Sequence, residues 1–462
     1  MSVRLSTAGA KPHLVEVPMI LRHARDDSGT PLENTWLHPG DVERGPVVTS
    51  IADVNSLTPA SSSGDSATDP AHAGRMGGQD RPRVGMVGGG QLARMTAAPA
   101  AALGIDFSVL ATSADESAAQ VARRVVLGRH DDLRALNELA TACDVMTFDH
   151  EHVPPSMLEQ LRARGVHVRP GPEALRHAQD KWHMRQALTT MGAPVPAWAR
   201  VDRSADVALF AEQQGWPVVL KVSRGGYDGR GVWVVEDESR AAVIMQETPL
   251  AESAVWLVEE YLPFDIEISA QVARSPHGQA VAYPVVRTVQ VEGMCAEVIA
   301  PAPGLDPDLA MQATDLALRI ARELDVIGML AVELFVVSGR IVVNELAMRP
   351  HNSGHWSIEG AVTSQFENHL RAVLDWPLGD PAAIAPYTVM VNVIGPEGPI
   401  PPLHDAFRHV MARDPGLHVH LYGKSIRPRR KLGHVTVVGE NLDELLARAH
   451  HGADYLMGVV DE

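Results

Sequence analysis

Apolar and helical segments alternate along the chain from Arg83 onward. Short apolar runs predict five β-strands, with helical segments between them, at residues 84–87, 107–111, 125–127, 145–148 and 166–168. Strands that alternate with helices form mostly parallel sheets. The pattern therefore predicts an α/β domain over residues 83–180.

A second set of elements begins with a helix predicted over residues 172–191. The sequence VVLKVSRGGYDGRGVWVV then predicts two apolar strands around a glycine-rich loop. Further elements are two strands and a helix, at residues 256–261, 266–272 and 309–324. The proline-rich stretch at residues 376–386 is typical of a domain boundary. After it we predict a small β-rich unit, with strands at residues 389–393, 418–422 and 435–438 and a helix at residues 442–450.

The N-terminal extension, residues 1–82, differs in composition from the rest. Its second part, residues 49–82, is rich in Ser, Ala, Gly, Asp and Pro, which is typical of a disordered segment. The segment VPMILRHAR near the start could form a short local element. Two interpretations stay open: the extension is a true tail, or the protein starts at Met76 or Met86. The extension carries no candidate chemical group.

The composition excludes several classes of protein. The chain has 462 residues and 45% hydrophobic content, enough for about two to four globular domains. No apolar run approaches the roughly 18 to 20 residues of a membrane span, and no secretory signal is evident. The two cysteines, Cys143 and Cys295, suit a reducing cytoplasm. The net charge of −17 argues against nucleic acid as a partner.

The most informative segment, residues 333–356, reads ELFVVSGRIVVNELAMRPHNSGHW. Its apolar arms around Ser338-Gly339 predict a β-hairpin, with Glu333 on one arm and Glu345 on the other. A three-residue loop with Gly339 left-handed places both carboxylates on one face, beside Asn344. A two-residue loop would place them on opposite faces, because a one-residue slip turns side chains across the sheet. We favour the three-residue loop, which predicts a Mg²⁺ site for nucleotide phosphates.

Two glycine-rich segments predict contacts with anions. The loop GGYDGRG, residues 225–231, lets backbone N–H groups approach a phosphate, and Lys221 on the preceding strand can reach the same group. A plain hairpin loop is the alternative. The segment GGGQLA, residues 88–93, follows a strand and matches the dinucleotide fingerprint. It predicts a Rossmann-like strand, turn and helix, whose N-terminus could bind NAD or another phosphate or polar ligand.

The densest basic run in this acidic chain is KSIRPRRK, residues 424–431. It predicts a pocket for a substrate phosphate, and a solvated edge strand is the alternative. Gly423-Lys424-Ser425 does not complete a P-loop, because His418 stands where the first glycine belongs. The histidines at residues 150–152 and 418–420 lack the spacing of a zinc site.

Together these motifs resemble the ATP-grasp superfamily, and within it the N5-carboxyaminoimidazole ribonucleotide synthetase family of purine biosynthesis. The resemblance covers about residues 83–450 and rests on GGGQLARM, TFDHEHVP, QDKWHMR, GGYDGRG, NELAMRPHNSGHW and KSIRPRRKLGH. Met348 and Pro350 depart from the family pattern, and Asp149 stands where an acidic residue, often Glu, is usual. The resemblance implies an α/β architecture of three domains: a Rossmann-like domain over residues 83–180, an ATP-grasp domain over residues 181–376 that clasps ATP, and a small C-terminal β-rich domain over residues 385–462.

The resemblance also implies a reaction, in which ATP and bicarbonate convert 5-aminoimidazole ribonucleotide into N5-carboxyaminoimidazole ribonucleotide, ADP and phosphate via carboxyphosphate. Mg²⁺ or Mn²⁺ is the implied cofactor, bound by Glu333 and Glu345, and the implied enzyme is a cytoplasmic homodimer. Implied ATP contacts are Lys181, Lys221, Gly226, Gly229, Glu259, Glu260, Glu267 and Asn344. Implied bicarbonate and lid residues are Arg349, His351, Tyr227, Asp228 and Arg230. Implied ribonucleotide contacts are Gln91, Glu151, Asn352, Ser353, Lys424, Arg430 and Lys431.

Three alternatives to this reaction stay open at the level of the sequence. Another ATP-grasp ligase, such as a formate-dependent glycinamide ribonucleotide transformylase, would use the same ATP site with a different acceptor. An NAD-dependent oxidoreductase would leave the Glu333 and Glu345 pair unexplained. It also predicts an acidic residue about 20 positions after the fingerprint, where the second strand ends in residues 111–114 and Asp115 lies only just beyond. A regulator without activity is disfavoured by the intact carboxylates and lysines.

Deletion of residues 1–75 is expected to leave the activity unchanged, because the candidate residues all follow Arg83. The measurement is the steady-state rate of ADP formation by the full-length and truncated proteins at equal concentration. A large loss of rate on truncation would show that the extension is part of the working enzyme.

Overall fold

The structure is a computed structural model that describes residues 81–226, 229–251, 253–398, 400 and 402–460. The predicted N-terminal extension, except for Arg81 and Pro82, lies outside the described residues, as do Tyr227 and Asp228. The described residues belong to one unit, Gly77–Glu462. Within them, no helix combines the length and the apolar content that crossing a membrane requires.

The first domain is built on a five-stranded parallel sheet in the order β3-β2-β1-β4-β5, which confirms the predicted α/β pattern. Helix α1 packs on one face, whereas α2 and α3 pack on the other, so the inner strands β1, β2 and β4 are buried on both sides. The elements are β1 Arg83–Val87, α1 Gln91–Ala102, β2 Asp106–Ala111, β3 Arg124–Leu127, α2 Leu133–Thr141, β4 Val145–Phe148, α3 Pro155–Ala163 and β5 His167–Val168.

The single helix predicted over residues 172–191 is two helices, α4 Pro172–Gln179 and α5 Lys181–Thr190. The break is at Asp180, whose backbone is extended (φ −140°, ψ 108°). Its carboxylate accepts a hydrogen bond from the backbone N–H of Trp182 at 3.0 Å and thereby caps α5. The Nε of Arg224 donates to the same carboxylate at 2.7 Å. Asp180 therefore fixes where Lys181 enters the structure.

A small four-stranded antiparallel sheet follows, in the order β6-β9-β7-β8. The glycine-rich loop connects β7 to β8, as the sequence predicts. Helices α6 and α7 cover one face through contacts with the apolar side chains of the strands. The elements are β6 Trp198–Val201, α6 Ser204–Gln214, β7 Val218–Val222, β8 Val232–Val235, α7 Glu238–Glu247 and β9 Trp256–Glu260.

The largest sheet has nine strands, with the path β15-β14-β10-β12-β13-β16-β18-β17 and β11 paired to β10. Because β13 pairs with β16, the sheet continues across the proline-rich stretch into the C-terminal segment. The elements are β10 Ile266–Arg274, β11 Ala280–Ala282, β12 Val286–Val291, β13 Met294–Ala300, α8 Pro307–Glu323, β14 Gly328–Val337, β15 Arg340–Ala347, α9 Ser357–Gly360, α10 Gln365–Val373, β16 Tyr387–Ile394, α11 Leu403–Arg413, β17 His418–Leu421, β18 Lys431–Gly439 and α12 Leu442–Leu456.

Candidate active site

One cleft of about 1050 Å³ brings together residues from all three parts of the chain. Its walls are the four-stranded sheet with the glycine-rich loop, the large sheet, and the ends of β1 and β4 in the parallel sheet. Most of the residues singled out from the sequence line it, namely Gln91, Glu151, Lys181, Lys221, Gly226, Gly229, Glu259, Glu260, Glu267, Glu333, Asn344, Glu345, Arg349, His351, Asn352 and Lys431.

The hairpin of β14 and β15 carries the two carboxylates, but its loop differs from the prediction. Val337 pairs with Arg340, so the loop has two residues, Ser338 and Gly339. Both have positive φ, 48° and 73°, as a type I′ turn requires. The predicted three-residue loop is therefore wrong.

A β-bulge restores the geometry that the three-residue loop was expected to provide. Leu334 pairs with Val343, yet Glu333 pairs with Glu345, because the register shifts by one residue between Glu333 and Leu334. The extra residue on β15 is Asn344. Since directly opposed residues of an antiparallel pair share a face, Glu333 and Glu345 converge in the cleft.

The carboxylates of this face repel one another. Burial raises the pKa of Glu333 to about 7, and the nearby charges of Glu345 and Glu267 add to the rise. Burial likewise raises the pKa of Glu267 to about 7. Burial also acts to raise the pKa of Glu345, but the charges of Lys181, Lys221 and Arg185 and a hydrogen bond from Lys181 outweigh it and lower that pKa. The Nζ of Lys181 lies 2.5 Å from Glu345 Oε1. Three carboxylates therefore share this face, and the ammonium of Lys181 pairs directly with one of them.

Two carboxylates alone do not form a complete metal site. Among the residues that the structure describes, no group of three or more His, Cys, Asp or Glu side chains is arranged to hold a metal ion. Mg²⁺, however, is usually bound through one or two carboxylates together with substrate phosphates and water. The facing pair of Glu333 and Glu345 fits that donor set.

Lys221 enters the cleft from a buried ion cluster. Its Nζ donates to Glu259 Oε2 at 2.6 Å, while Arg185 donates to both oxygens of the same carboxylate, at 2.7 and 3.1 Å. Burial would raise the pKa of Glu259, but the charges of Arg185 and Lys221 outweigh it and lower the pKa to about 2. Arg185 also donates to the carbonyl of Val343 at 3.2 Å, next to the bulge.

Arg185 has no role in the interpretation of the sequence, although a signal was available. It follows Lys181 by four residues in QDKWHMR, and residues at that spacing share one face of a helix. Glu259, expected among the ATP contacts, has its carboxylate fully engaged by Arg185 and Lys221. These contacts hold Lys221 in place, and the expected contact between Glu259 and ATP stays a prediction.

Arg349 and His351 line the cleft beyond β15. The Nε of Arg349 lies 2.8 Å from Glu151 Oε1, at the end of β4. The Nε2 of His351 lies 3.4 Å from Glu333 Oε1. Burial lowers the pKa of His351 to about 3, and the charges of Arg349 and Lys431 contribute in the same direction. His351 is therefore neutral, between a cationic and an anionic neighbour.

Ser353 is not at the surface of the cleft, in contrast to the sequence prediction. It is only 1% exposed, and its hydroxyl bonds to buried side chains beneath the cleft. The short 3-10 turn Asn352–Gly354 directs this hydroxyl inward because His351 caps the turn. Asn352, the preceding residue, does line the cleft.

A second recess of about 660 Å³ adjoins the first at His150, which lines both. Most of the basic run is a loop beside it, and only Lys431 belongs to a strand, β18. Lys424 and Arg430 line the recess, whereas Lys431 lines the main cleft. The Nζ of Lys424 donates to Gln91 Oε1. The predicted phosphate-binding residues are therefore divided between the two adjoining spaces, with Lys424 and Arg430 in the recess and Lys431 in the main cleft.

The N-terminus of α1 is partly occupied by a carboxylate from the protein itself. The carboxylate of Asp149 accepts hydrogen bonds from the backbone N–H of Gly90 at 2.6 Å and of Ala93 at 3.0 Å. A side chain added at Gly90 would meet Asp149 Oδ2 at 2.1 Å. Because an internal anion occupies this helix end, the structure argues against the NAD alternative.

Family models match three consecutive parts of the chain. Residues 82–179 match the ribonucleotide synthetase preATP-grasp domain, residues 186–366 the ATP-grasp domain, and residues 388–448 the phosphoribosylaminoimidazole carboxylase C-terminal domain. The fold and the cleft thus define an ATP-grasp ligase.

Known proteins narrow the class further. The N5-carboxyaminoimidazole ribonucleotide synthase of Mycobacterium tuberculosis is 54% identical over 377 residues, which cover 81% of this chain and 88% of that protein. The synthetase structure from Thermus thermophilus is 36% identical with a TM-score of 0.72, covering 82% of this chain and 99% of that one. The Aspergillus clavatus structure, a complex with ADP and 5-aminoimidazole ribonucleotide, is 31% identical with a TM-score of 0.74 over the same shares, 82% and 99%. The chain belongs to the N5-carboxyaminoimidazole ribonucleotide synthase family.

Replacement of Glu259 with Gln is expected to destabilise the fold by about 3–5 kcal/mol, because it leaves two buried cations without their counter-charge. The measurement is the free energy of unfolding from urea denaturation. Glu173→Gln is the matched control, since Glu173 pairs with Arg162 at the surface and exposed pairs contribute little. Equal stabilities of the two variants would contradict the structural role of Glu259.

Proposed function

We propose that the chain catalyses the ATP- and bicarbonate-dependent carboxylation of 5-aminoimidazole ribonucleotide to N5-carboxyaminoimidazole ribonucleotide, with release of ADP and phosphate. The observation that carries this proposal is the cleft itself. Two facing carboxylates, two lysines, Arg349 and His351 meet there within reach of the basic loop. Negatively charged substrates with several phosphate oxygens fit this alternation of acidic and basic groups.

ATP binds between the small sheet and the large sheet in this proposal. Lys181 and Lys221 hold the α- and β-phosphates, because both ammonium groups line the cleft near the carboxylate pair. Glu333 and Glu345 would hold Mg²⁺ or Mn²⁺, with Asn344 beside them, and such an ion neutralises developing phosphate charge. Gly226, Gly229, Glu260 and Glu267 line the remaining wall, where the nucleoside fits.

Arg349 and His351 hold bicarbonate next to the γ-phosphate. An oxygen of bicarbonate attacks the γ-phosphorus, and the bond between the γ-phosphorus and the β-phosphate oxygen breaks. This step gives ADP and carboxyphosphate, and the carboxyphosphate stays in the cleft. The amine nitrogen of the ribonucleotide then attacks the carboxyl carbon, the C–O bond to the phosphate breaks, and the departing phosphate takes the proton that the amine loses. Carboxyphosphate is lost if water enters, so the cleft must close during the reaction. The glycine-rich loop, including Tyr227, Asp228 and Arg230, is the proposed lid.

In this proposal the ribonucleotide extends from the cleft towards the adjoining recess. Gln91, Glu151 and Asn352 line the cleft and face its aminoimidazole. Its 5′-phosphate lies among the basic groups of the loop and β18, namely Lys424, Arg430 and Lys431. Charge complementarity supports this orientation, since a phosphate at the opposite end would face Glu333 and Glu345.

The partners in this proposal are small molecules: ATP, bicarbonate and the ribonucleotide. We further propose that the protein works as a homodimer in the cytoplasm. Both cysteines are buried thiols, which agrees with a reducing compartment.

ADP release is expected to rise sharply when the ribonucleotide is added to protein, Mg²⁺, ATP and bicarbonate, because carboxyphosphate is then consumed productively. The measurement is a coupled ADP assay with detection of the carboxylated product. Chelation of the divalent ion should abolish release. ADP release that is indifferent to the ribonucleotide would contradict the proposed acceptor, while the absence of any turnover would contradict the proposed activity.

Replacement of Glu345 with Gln is expected to lower ADP formation by about two orders of magnitude or more, because one of the two proposed carboxylate ligands loses its charge. The fold should remain intact, as judged by circular dichroism and thermal unfolding. Glu323→Gln, on the exposed end of α8, is the matched control and should keep the wild-type rate. Turnover close to wild type in Glu345→Gln would remove this glutamate from the metal site.

A further inference from the structure

A chain of buried hydrogen bonds lies beneath His351. Ser269 and Gln271, on β10, and Ser353, after β15, are each at most 1% exposed. The Oγ of Ser353 lies 2.8 Å from Ser269 Oγ and accepts a hydrogen bond from Gln271 Nε2 at 2.7 Å. The same oxygen lies 2.9 Å from His351 Nδ1. The hydroxyl of Ser353 thus connects strand β10 to the imidazole of His351.

The register of the sheet explains why these groups meet. Ser269 is the partner of Glu333 on β14, and Glu333 is the partner of Glu345 on β15. Residues two apart on a strand share a face, so Gln271 and Glu267 project to the same side as Ser269. The face that presents carboxylates to the cleft therefore also presents a hydroxyl and an amide to Ser353.

The groups that can only donate fix the direction of each hydrogen bond in this network. The backbone N–H of Ser353 points at His351 Nδ1, at 3.4 Å, and an N–H can only donate. Nδ1 is therefore the bare nitrogen, and it can also accept the Ser353 hydroxyl. A serine hydroxyl has one proton and two acceptor positions. The Ser353 hydroxyl donates its proton in a hydrogen bond to Nδ1. Its oxygen accepts hydrogen bonds from Ser269 and from Gln271, so the donor and both acceptor positions of the hydroxyl are used.

A second contact holds the backbone of His351. Gln365, which is fully buried, accepts from the His351 N–H at 2.9 Å and donates to the His351 carbonyl at 2.8 Å. The position of the ring is therefore set from two directions, the backbone by Gln365 and the Nδ1 edge by Ser353. Rotation of the ring would break the bonds at Nδ1, because Nε2 lies on the opposite side, towards Glu333.

We infer that Ser353, supported by Ser269 and Gln271, is a positioning residue that locks His351 in the neutral tautomer with the proton on Nε2. The imidazole consequently presents an N–H donor to the cleft. This inference deepens the proposed function and rests on it in one respect, the placement of bicarbonate beside His351. There the ring donates a hydrogen bond to an oxygen of bicarbonate or carboxyphosphate, and it does not remove a proton through Nε2.

Nitrogen NMR of the ligand-free protein tests the inference directly. The full-length protein is labelled with ¹⁵N-imidazole histidine, and its long-range ¹H–¹⁵N correlations distinguish the two tautomers of each ring. The chain has 21 histidines, so the His351→Asn variant identifies the signal of His351 by difference. We expect an unprotonated Nδ1 and a protonated Nε2. A protonated Nδ1 at neutral pH would overturn the inference, whether or not the enzyme is active.

Replacement of Ser353 with Ala separates the lock from simple packing. We expect signals of both tautomers, together with a kcat lower by about tenfold to a hundredfold and an unchanged KM for ATP. Ser353→Thr keeps the hydroxyl and should restore the single tautomer. Ser108→Ala, at a buried serine in the parallel sheet, is the matched control and should change neither readout. A single Nε2–H tautomer retained in Ser353→Ala would show that Ser353 does not set it.

The same samples keep the two proposals distinguishable. Loss of ribonucleotide-dependent turnover in the wild-type protein would contradict the proposed function, while the tautomer measurement would still stand. Conversely, an active wild-type enzyme with Nδ1 protonated would leave the proposed function intact and remove the lock.

Discussion

The concentration of carboxylates on one face of the large sheet is the constraint on which the rest of the site depends. Glu267, Glu333 and Glu345 converge there. Burial raises the pKa of Glu333 and of Glu267 to about 7, and the charges of Glu345 and Glu267 add to the rise at Glu333. Such a face is stable only if cations surround it. Lys181 provides one from the start of α5 and pairs with Glu345, and the charge of Lys431 also acts on Glu333. A divalent ion bound at this face would add further positive charge.

The fold supplies the surrounding charges by short-range devices. Asp180 interrupts the helix so that Lys181 begins α5 and points at Glu345. The bulge at Asn344 turns Glu345 to the side of Glu333. In each case a single residue interrupts a regular helix or strand. The geometry of the site therefore depends on irregularities that hydrophobic patterns in the sequence do not reveal.

This difference explains how far the sequence could predict the molecule. The parallel sheet followed from apolar runs, and the strand limits differ from the prediction by at most one residue. The hairpin loop was wrong because loop length and bulge compensate each other, and both arrangements give the same pair of converging carboxylates. The sequence RPHNSGHW shows that Ser353 is polar, but it does not show whether the side chain points into the cleft or into the interior. Ser353 was therefore wrongly predicted to line the cleft. Helix α10 was not predicted, since its buried Gln365, Asn368 and His369 interrupt the apolar pattern.

The two lysines of the cleft are held in different ways, and this difference has a consequence for binding. Lys221 is fixed by Glu259, which Arg185 also holds, so its ammonium is placed before any ligand arrives. Lys181 pairs with Glu345, one of the carboxylates proposed to bind the metal. A cation bound at Glu345 would release that ammonium to the phosphates that accompany the cation. Under the proposed function, the metal and the nucleotide would therefore favour each other's binding, because the metal would neutralise Glu345 and the phosphates would neutralise Lys181.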